Sequence, residues 1–362
     1  MIVTRTPFRV TLGGGGTDLP SYYRHHGGFI FAMGLDKYMY VATNRPVVGP
    51  KLVLHYAQSE AVEHVGQLRH PLAREALRKH GIENNFEVSS MADLPAGTGL
   101  GSSSCYMVGL LNALHHYRRD YVSLQTLAEE ACHIELEILK EGIGKQDQYM
   151  AAYGGLTVLE IAPGGAVKVR QLRPSSGDVA DFVAHTHIYY TGAQRDAREV
   201  LADQNVAMQS KESVDHARVA ESLHRIKELG YHILEAIETG NYDRWGQLLD
   251  QHWQNKKKLS KKISLSAVDQ IYDEVRARFG VLGGKIIGAG GGGFLMLYCP
   301  GQPAALGRFM AENGMPRMHY TVEPEGTKVI TQIGQGFLPG EPLPASAPGG
   351  GPAPAVGPAG AK

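Results

Sequence analysis

The stretch Asp93-Leu94-Pro95-Ala96-Gly97-Thr98-Gly99-Leu100-Gly101-Ser102-Ser103-Ser104 constrains this chain more than any other. It reads as a glycine-rich loop running into a helix, because Tyr106, Met107, Leu110, Leu111 and Leu114 follow at helical spacing. Gly97, Gly99 and Gly101 let the backbone approach a ligand with no Cβ in the way. Ser102, Ser103 and Ser104 stand where a helix takes its N-cap, so hydroxyls and free amide N–H groups converge at the positive end of the helix dipole. A phosphate suits that place.

Two further glycine runs flank it. Pro7-Phe8-Arg9-Val10-Thr11-Leu12-Gly13-Gly14-Gly15-Gly16-Thr17-Asp18 lies near the start and Gly288-Ala289-Gly290-Gly291-Gly292-Gly293 near the end. No G-x-x-x-x-G-K-[ST] occurs, which excludes a Walker phosphate loop. Gly288, Gly290 and Gly293 do spell G-x-G-x-x-G, but that fingerprint must open a helix. Here Phe294-Leu295-Met296-Leu297-Tyr298 follows, an apolar run stopped by Pro300 that reads as a strand. The dinucleotide reading fails on context.

Lys plus Arg and Asp plus Glu balance at 36 each, so no general basic field exists to attract nucleic acid or a membrane. Cys105, Cys132 and Cys299 are too scattered for a disulfide framework. Neither a signal peptide nor an apolar run of transmembrane length is apparent, and the expected location is the cytoplasm. The sixteen histidines show no H-E-x-x-H spacing and read as scattered surface or half-buried side chains rather than a metal centre.

Periodicity predicts a β-rich start over 1–55, helices over 72–80, from 103 onward and over 124–139, and strands at 86–88, 156–161 and 167–172. Pro174-Ser175-Ser176-Gly177 is the candidate boundary between an N-terminal domain (1–177) and a C-terminal one (178–335). The second half reads as a strand at 186–191, long helical patterns over 196–238 and 242–262, a helix at 267–279 and a strand at 285–287. After the glycine loop come the 294–298 strand, a helix at 304–313 and closing strands near 318–322 and 328–333. The class is α+β. The Pro/Gly/Ala-rich segment 336–362 has no core-forming pattern and is expected to be disordered and dispensable. Lys256-Lys257-Lys258 and Lys261-Lys262 read as a solvated helix face.

The three ordered glycine motifs resemble those of the GHMP kinases, with an N-terminal substrate segment, a P-x-x-x-G-L-G-S-S phosphate loop and a late glycine-rich loop. The resemblance covers about residues 1–335. It implies a ribosomal-protein-S5-like N-terminal domain, a ferredoxin-like C-terminal domain, and ATP and Mg²⁺ as cosubstrate and cofactor. ATP would bind at Pro95, Gly97, Gly99, Leu100, Gly101, Ser102, Ser103 and Ser104. In Gln146-Asp147-Gln148-Tyr149, Asp147 matches the aspartate that orients or deprotonates the attacking hydroxyl, with Arg9 as its cation. Glu135, about 40° around the helix from Ala131 and near the buried stripe, is similar to the family's Mg²⁺-binding glutamate, and Glu137 competes with it. A loop hydroxyl such as that of Ser103 would be the second Mg²⁺ ligand.

Gly14, Gly15, Gly16, Thr17, Asp18, Gly290, Gly291 and Arg195 are the expected sugar contacts, with Arg198 and Lys285 as further candidates for an anionic group. Within the family the patterns are similar to those of the heptose 7-phosphate kinases. These are Arg5-Thr6-Pro7-Phe8-Arg9, Gln146-Asp147-Gln148-Tyr149 and Ala151-Ala152-Tyr153-Gly154-Gly155. Galactokinases place a Glu and a His where Gly15 and Gly16 stand, and that change suits a larger or anionic substituent. Another sugar-1-kinase of the L-fucose or N-acetylhexosamine type, or a non-catalytic nucleotide- or sugar-binding regulator, is the alternative.

Overall fold

A 17-residue strand, Gly28–Asn44, organises the first half of the molecule, because different neighbours pair with its two ends. The computed structural model describes residues 1–193, 197–209 and 214–333. In chain order the elements are β1 (Ile2–Gly13), α1 (Pro20–His26), β2 (Gly28–Asn44), β3 (Leu52–His55), β4 (Ser59–Val62), α2 (Pro71–Lys79), β5 (Phe86–Ala92) and α3 (Ser102–Arg118). There follow α4 (Leu124–Cys132), α5 (Gln146–Tyr153), β6 (Leu156–Ile161), β7 (Val167–Leu172), α6 (Ser176–His185), β8 (Thr186–Tyr190), α7 (Ala197–Gln209), α8 (Val214–Glu238) and α9 (Tyr242–Lys257). The chain then forms α10 (Ser266–Phe279), β9 (Gly283–Ile286), β10 (Phe294–Tyr298), α11 (Pro303–Glu312), β11 (Arg317–Met318) and β12 (Lys328–Gln332).

Eight strands form one sheet in the order β12-β1-β2-β5-β3-β4, with β6 on the first half of β2 and β7 outside it. Four strands, β11-β8-β10-β9, form a second, antiparallel sheet. Helix α3 packs on β1 and β2, and α8 and α9 pair with each other. Helix α8 also reaches β1 and β2, so it joins the two sheets. It comes close because neither side carries a Cβ: one placed on Gly13 would lie 3.0 Å from the Gly230 Cα, and one on Gly230 would lie 2.7 Å from the Phe29 ring. Fixing α8 there fixes the start of the first glycine run.

The periodic elements fall close to their expected places, and three differences matter. The 242–262 pattern stops at Lys257, and a short helix, α5, occupies Gln146–Tyr153, where the periodicity predicts no element. The last strand, expected to close the second domain, instead returns to the first sheet. There β12 pairs antiparallel with β1 (Ile2 opposite Gln332, Arg5 opposite Lys328). Thr327 leads the return: its hydroxyl meets Thr6 Oγ1 at 2.9 Å and accepts from Asn112 Nδ2 at 3.2 Å, and its N–H donates to the Ala151 carbonyl. The 336–362 segment lies outside the described residues.

Thr327→Val keeps the shape and leaves the buried Thr6 and Asn112 groups short of a partner. The expected loss is about 1–3 kcal/mol, read as a lower urea midpoint at constant slope. An unchanged midpoint would show that β12 does not dock as described.

Candidate active site

Strand β1 carries Arg9, whose guanidinium ties together three distant segments. Nε donates to Asp147 Oδ1 and Nη2 to Asp147 Oδ2, both at 2.7 Å, while Nη1 donates to the Gly99 carbonyl at 2.6 Å. The planar fork matches a carboxylate bidentately, which fixes its direction as well as its charge. Arg9 is buried, whereas the Asp147 carboxylate is partly open to a cavity of about 1160 Å³ that both line. Asp147 sits in the first turn of α5, and Gln146 Nε2 donates to its Oδ1 at 2.9 Å. Gly101 lies against its Oδ2, where an added Cβ would come within 3.3 Å.

The serines do not cap α3. Its N-cap is Gly101, at φ 86°, and no side chain caps the helix. Ser102, Ser103 and Ser104 instead form its first turn, so the amide end of the helix is left for an anion. Pro95, Gly97, Gly99, Gly101, Ser102 and Ser103 line the cavity. Leu100 is buried beneath the loop, where its carbonyl accepts from Arg9 N at 3.2 Å, and Ser104 is buried behind it.

Ser104 turns toward Glu135. After Cys132 the helix widens into a π-helical turn, His133–Ile138, which swings Glu135 under the start of α3. Such turns are rare and recur at functional sites. Glu135 is fully buried and accepts from Ser104 Oγ at 3.0 Å, Ser103 Oγ at 3.4 Å and Gln148 Nε2 at 2.7 Å. Burial pushes its carboxyl up to about 7, and the neighbouring charges of Asp147 and Glu141 act in the same direction. Gln148 Oε1, buried nearby, has no partner among the described residues. A carboxylate, two hydroxyls and an orphaned amide oxygen are the hard oxygen donors that Mg²⁺ takes. Glu137, by contrast, is exposed and lies 3.7 Å from Arg24.

The first glycine run divides by role. Gly15, Gly16 and Asp18 line the cavity. Gly14 and Thr17 are not among its lining residues: a Cβ on Gly14 would lie 1.9 Å from the Phe29 carbonyl, and the Thr17 hydroxyl donates to the Gly14 and Phe29 carbonyls. They hold the turn that presents the others. Asp18 Oδ2 accepts from Gln146 N at 3.0 Å, which anchors the turn to α5, and burial raises its carboxyl.

In the late run Gly288 and Ala289 line the cavity, whereas Gly290 and Gly291, the expected sugar contacts, are not among its lining residues. Gly290 and Gly291 pack on Ile263, with Gly291 N donating to its carbonyl at 2.8 Å. The neighbouring glycines pack on the phosphate loop, where a Cβ on Gly288 would lie 2.3 Å from the Gly99 carbonyl and one on Gly293 2.2 Å from that of Thr98. Arg195 lies outside the described residues, as does the Arg198 side chain.

Other residues at the cavity went unread. Lys256 belongs to the expected solvated face, yet it is buried and faces the cavity with His252 and Lys285. The spacing of His252 and Lys256, one helical turn apart on α9, was the available signal. At the other end Tyr56, His70, Leu72, Met91 and Tyr106 make an aromatic and apolar wall. The histidines are also less scattered than expected, since ligand atoms of His80, His115 and Glu130 lie within 4.8 Å of one another away from the cavity. Lys79, 3.2 Å from Glu130, already supplies a cation there.

Known proteins share this fold. The profile of the GHMP kinases N terminal domain matches residues 67–155, and that of the GHMP kinases C terminal matches residues 233–315. The D-glycero-alpha-D-manno-heptose 7-phosphate kinase of Campylobacter jejuni is 27% identical over 312 residues, covering 82% of this chain and 89% of its own. The L-fucokinase/L-fucose-1-P guanylyltransferase of Bacteroides fragilis is 28% identical over 346 residues, 83% of this chain but 35% of that longer protein. A solved D-glycero-D-manno-heptose 1-phosphate kinase from Bacteroides thetaiotaomicron superposes with a TM-score of 0.74 at 21% identity, over 92% of this chain and all of that one. With both domain profiles matched in order and the same fold in solved relatives, the chain carries the N-terminal and C-terminal domains of the GHMP kinases.

Proposed function

We propose that this protein is an ATP-dependent sugar kinase that phosphorylates the anomeric hydroxyl of D-glycero-D-manno-heptose 7-phosphate, giving the 1,7-bisphosphate. The observation that carries the reading is the Arg9–Asp147 pair, held beside a phosphate loop whose helix end no side chain caps. The cavity exceeds the usual range for a single ligand, roughly 300–1,000 Å³, which suits a nucleotide and a sugar phosphate together. The heptose 7-phosphate acceptor is favoured by the named relative from Campylobacter jejuni and by Gly15 and Gly16, which leave the sugar end open.

The triphosphate lies along the loop amides from Gly97 to Ser103, with the base toward the Tyr56–Tyr106 wall. The sugar's anomeric oxygen attacks the γ-phosphorus, the bond to the β–γ bridging oxygen breaks, and ADP leaves. Asp147 takes the hydroxyl proton. Its Oδ2 is the oxygen with a single donor among the described residues, Arg9 Nη2, and so keeps a lone pair for that proton. Arg9 keeps the carboxylate aimed, and through Gly99 it keeps the loop in register with it. Glu135 and the Ser103 hydroxyl would hold Mg²⁺, which supplies charge neutralisation on the phosphates. The rest of catalysis is positioning.

Purified protein should consume ATP only with Mg²⁺ and a sugar acceptor present. Nucleotide binding without phosphorylated product would favour a regulator. Asp147→Asn should preserve the fold and ATP binding while kcat falls roughly 10²–10⁴-fold; near-normal kcat removes Asp147 from the mechanism. Glu135→Gln should raise the Mg²⁺ concentration needed for half-maximal rate, and Glu137→Gln should leave it in place.

The substrate assignment is tested by kcat/KM for heptose 7-phosphate, free heptose and galactose, with the product's phosphorylation site read by phosphorus NMR. Loss of the distal phosphate should lower kcat/KM roughly 30- to 1000-fold, on the order of 2–4 kcal/mol. Equal use of the free sugar rejects the 7-phosphate acceptor and leaves a sugar-1-kinase.

A further inference from the structure

Three buried basic side chains face the cavity with almost nothing to balance them. Lys285, on β9, is 1% exposed, and its Nζ reaches only as far as the Leu12 carbonyl, at 3.4 Å. Lys256, on α9, is 7% exposed, and its Nζ donates to the carbonyls of Ile286 and Gly288. His252, one turn earlier on the same helix, is fully buried, and neither ring nitrogen has a partner among the described residues. Buried polar groups of this kind are normally satisfied. A lysine head carries three donors, and carbonyls alone do not neutralise it.

The surroundings define what is missing. The charge acting on Lys256 is that of Arg9, and those acting on Lys285 are Lys256 and Arg9, all cationic. Arg9 is itself committed to Asp147. Burial first, and then these cations, lower Lys256 to about 7 and Lys285 well below its usual range. Three of the cavity's carboxylates are engaged elsewhere, Asp147 with Arg9, Glu135 with the serines of α3 and Asp18 with the backbone at Gln146. An anion that brings several acceptor oxygens is therefore the complementary ligand, and a phosphate does so compactly.

Two phosphates enter the proposed reaction. The loop amides and the Glu135 side already serve the triphosphate of ATP. Lys285 instead lies against Leu12, at the end of β1 where the chain enters Gly13–Gly16, the segment on the sugar side. Resting on the heptose 7-phosphate reading above, we propose that Lys285, Lys256 and His252 form the seat of the substrate's distal phosphate. A neutral sugar leaves the cluster without a compensating anion, so the same cluster selects against unphosphorylated acceptors.

The test compares kcat/KM for heptose 7-phosphate and free heptose in wild type, Lys285→Met and His252→Gln, with melting curves to confirm folding. The expected result is that the wild-type preference for the phosphorylated sugar collapses roughly 10- to 100-fold in Lys285→Met, through KM for that sugar, with a smaller fall in His252→Gln. A loss that falls equally on both sugars, or on the KM for ATP, assigns the cluster to the nucleotide and overturns the proposal. A wild-type preference that survives in both variants overturns it too, while leaving the 7-phosphate acceptor in place. No preference in wild type rejects that acceptor and this seat together. Should Lys285→Met fail to fold, His252→Gln decides, since it replaces a ring that holds no partner.

Discussion

The Arg9 fork is the interaction on which the site depends. One guanidinium spans β1, the phosphate loop and the first turn of α5, three pieces of chain that begin roughly ninety and one hundred and forty residues apart. An isolated buried arginine would be costly, as would an isolated carboxylate in the same place. Together they satisfy each other and the Gly99 carbonyl, and the geometry that results is the one a proton acceptor beside a phosphate needs. Lysine in place of Arg9 would keep the charge but lose the two parallel bonds that set the carboxylate's direction.

Glycine does its work here mainly through what it leaves out. The phosphate loop and the 288–293 run come from different sheets and meet backbone to backbone, at Gly99 with Gly288 and at Thr98 with Gly293. Any Cβ at Gly288 or Gly293 would overlap a carbonyl of the opposite loop. Through that run the second sheet supports the phosphate loop, and Gly288 and Ala289 also line the cavity. Further along, α9 and β9 bring Lys256 and Lys285 to it.

A similar indirection holds for Glu135. Its usefulness rests on being a buried carboxylate that hydroxyls and an amide relieve only in part. The π-helical turn makes the position possible, since an undistorted helix would direct the same residue elsewhere along the α4 face. Return of the chain to the first sheet as β12 then closes the base of this half, with Thr327 linking β1, α3 and α5.

Much of this was legible in the sequence because its signals are local. Hydrophobic period gave α2, β6, β7, β10, α11 and the start of α3 nearly to the residue, the three glycine runs were visible as motifs, and the family resemblance pointed to Asp147 and Glu135. What the sequence did not carry was direction. Lys256 looks like its neighbours Lys257 and Lys258, and only the packing of α9 against β9 decides that one is buried while Lys257 pairs with Asp269. Gly14 and Thr17 cannot be told from Gly15 and Gly16 until β2 and α8 press on one side of the turn. By itself the sequence determined which residues could bind phosphate, because backbone freedom and helix starts are properties of a few consecutive residues. Tertiary structure alone decided which of them face the cavity, because facing is set by contacts between segments far apart in the chain.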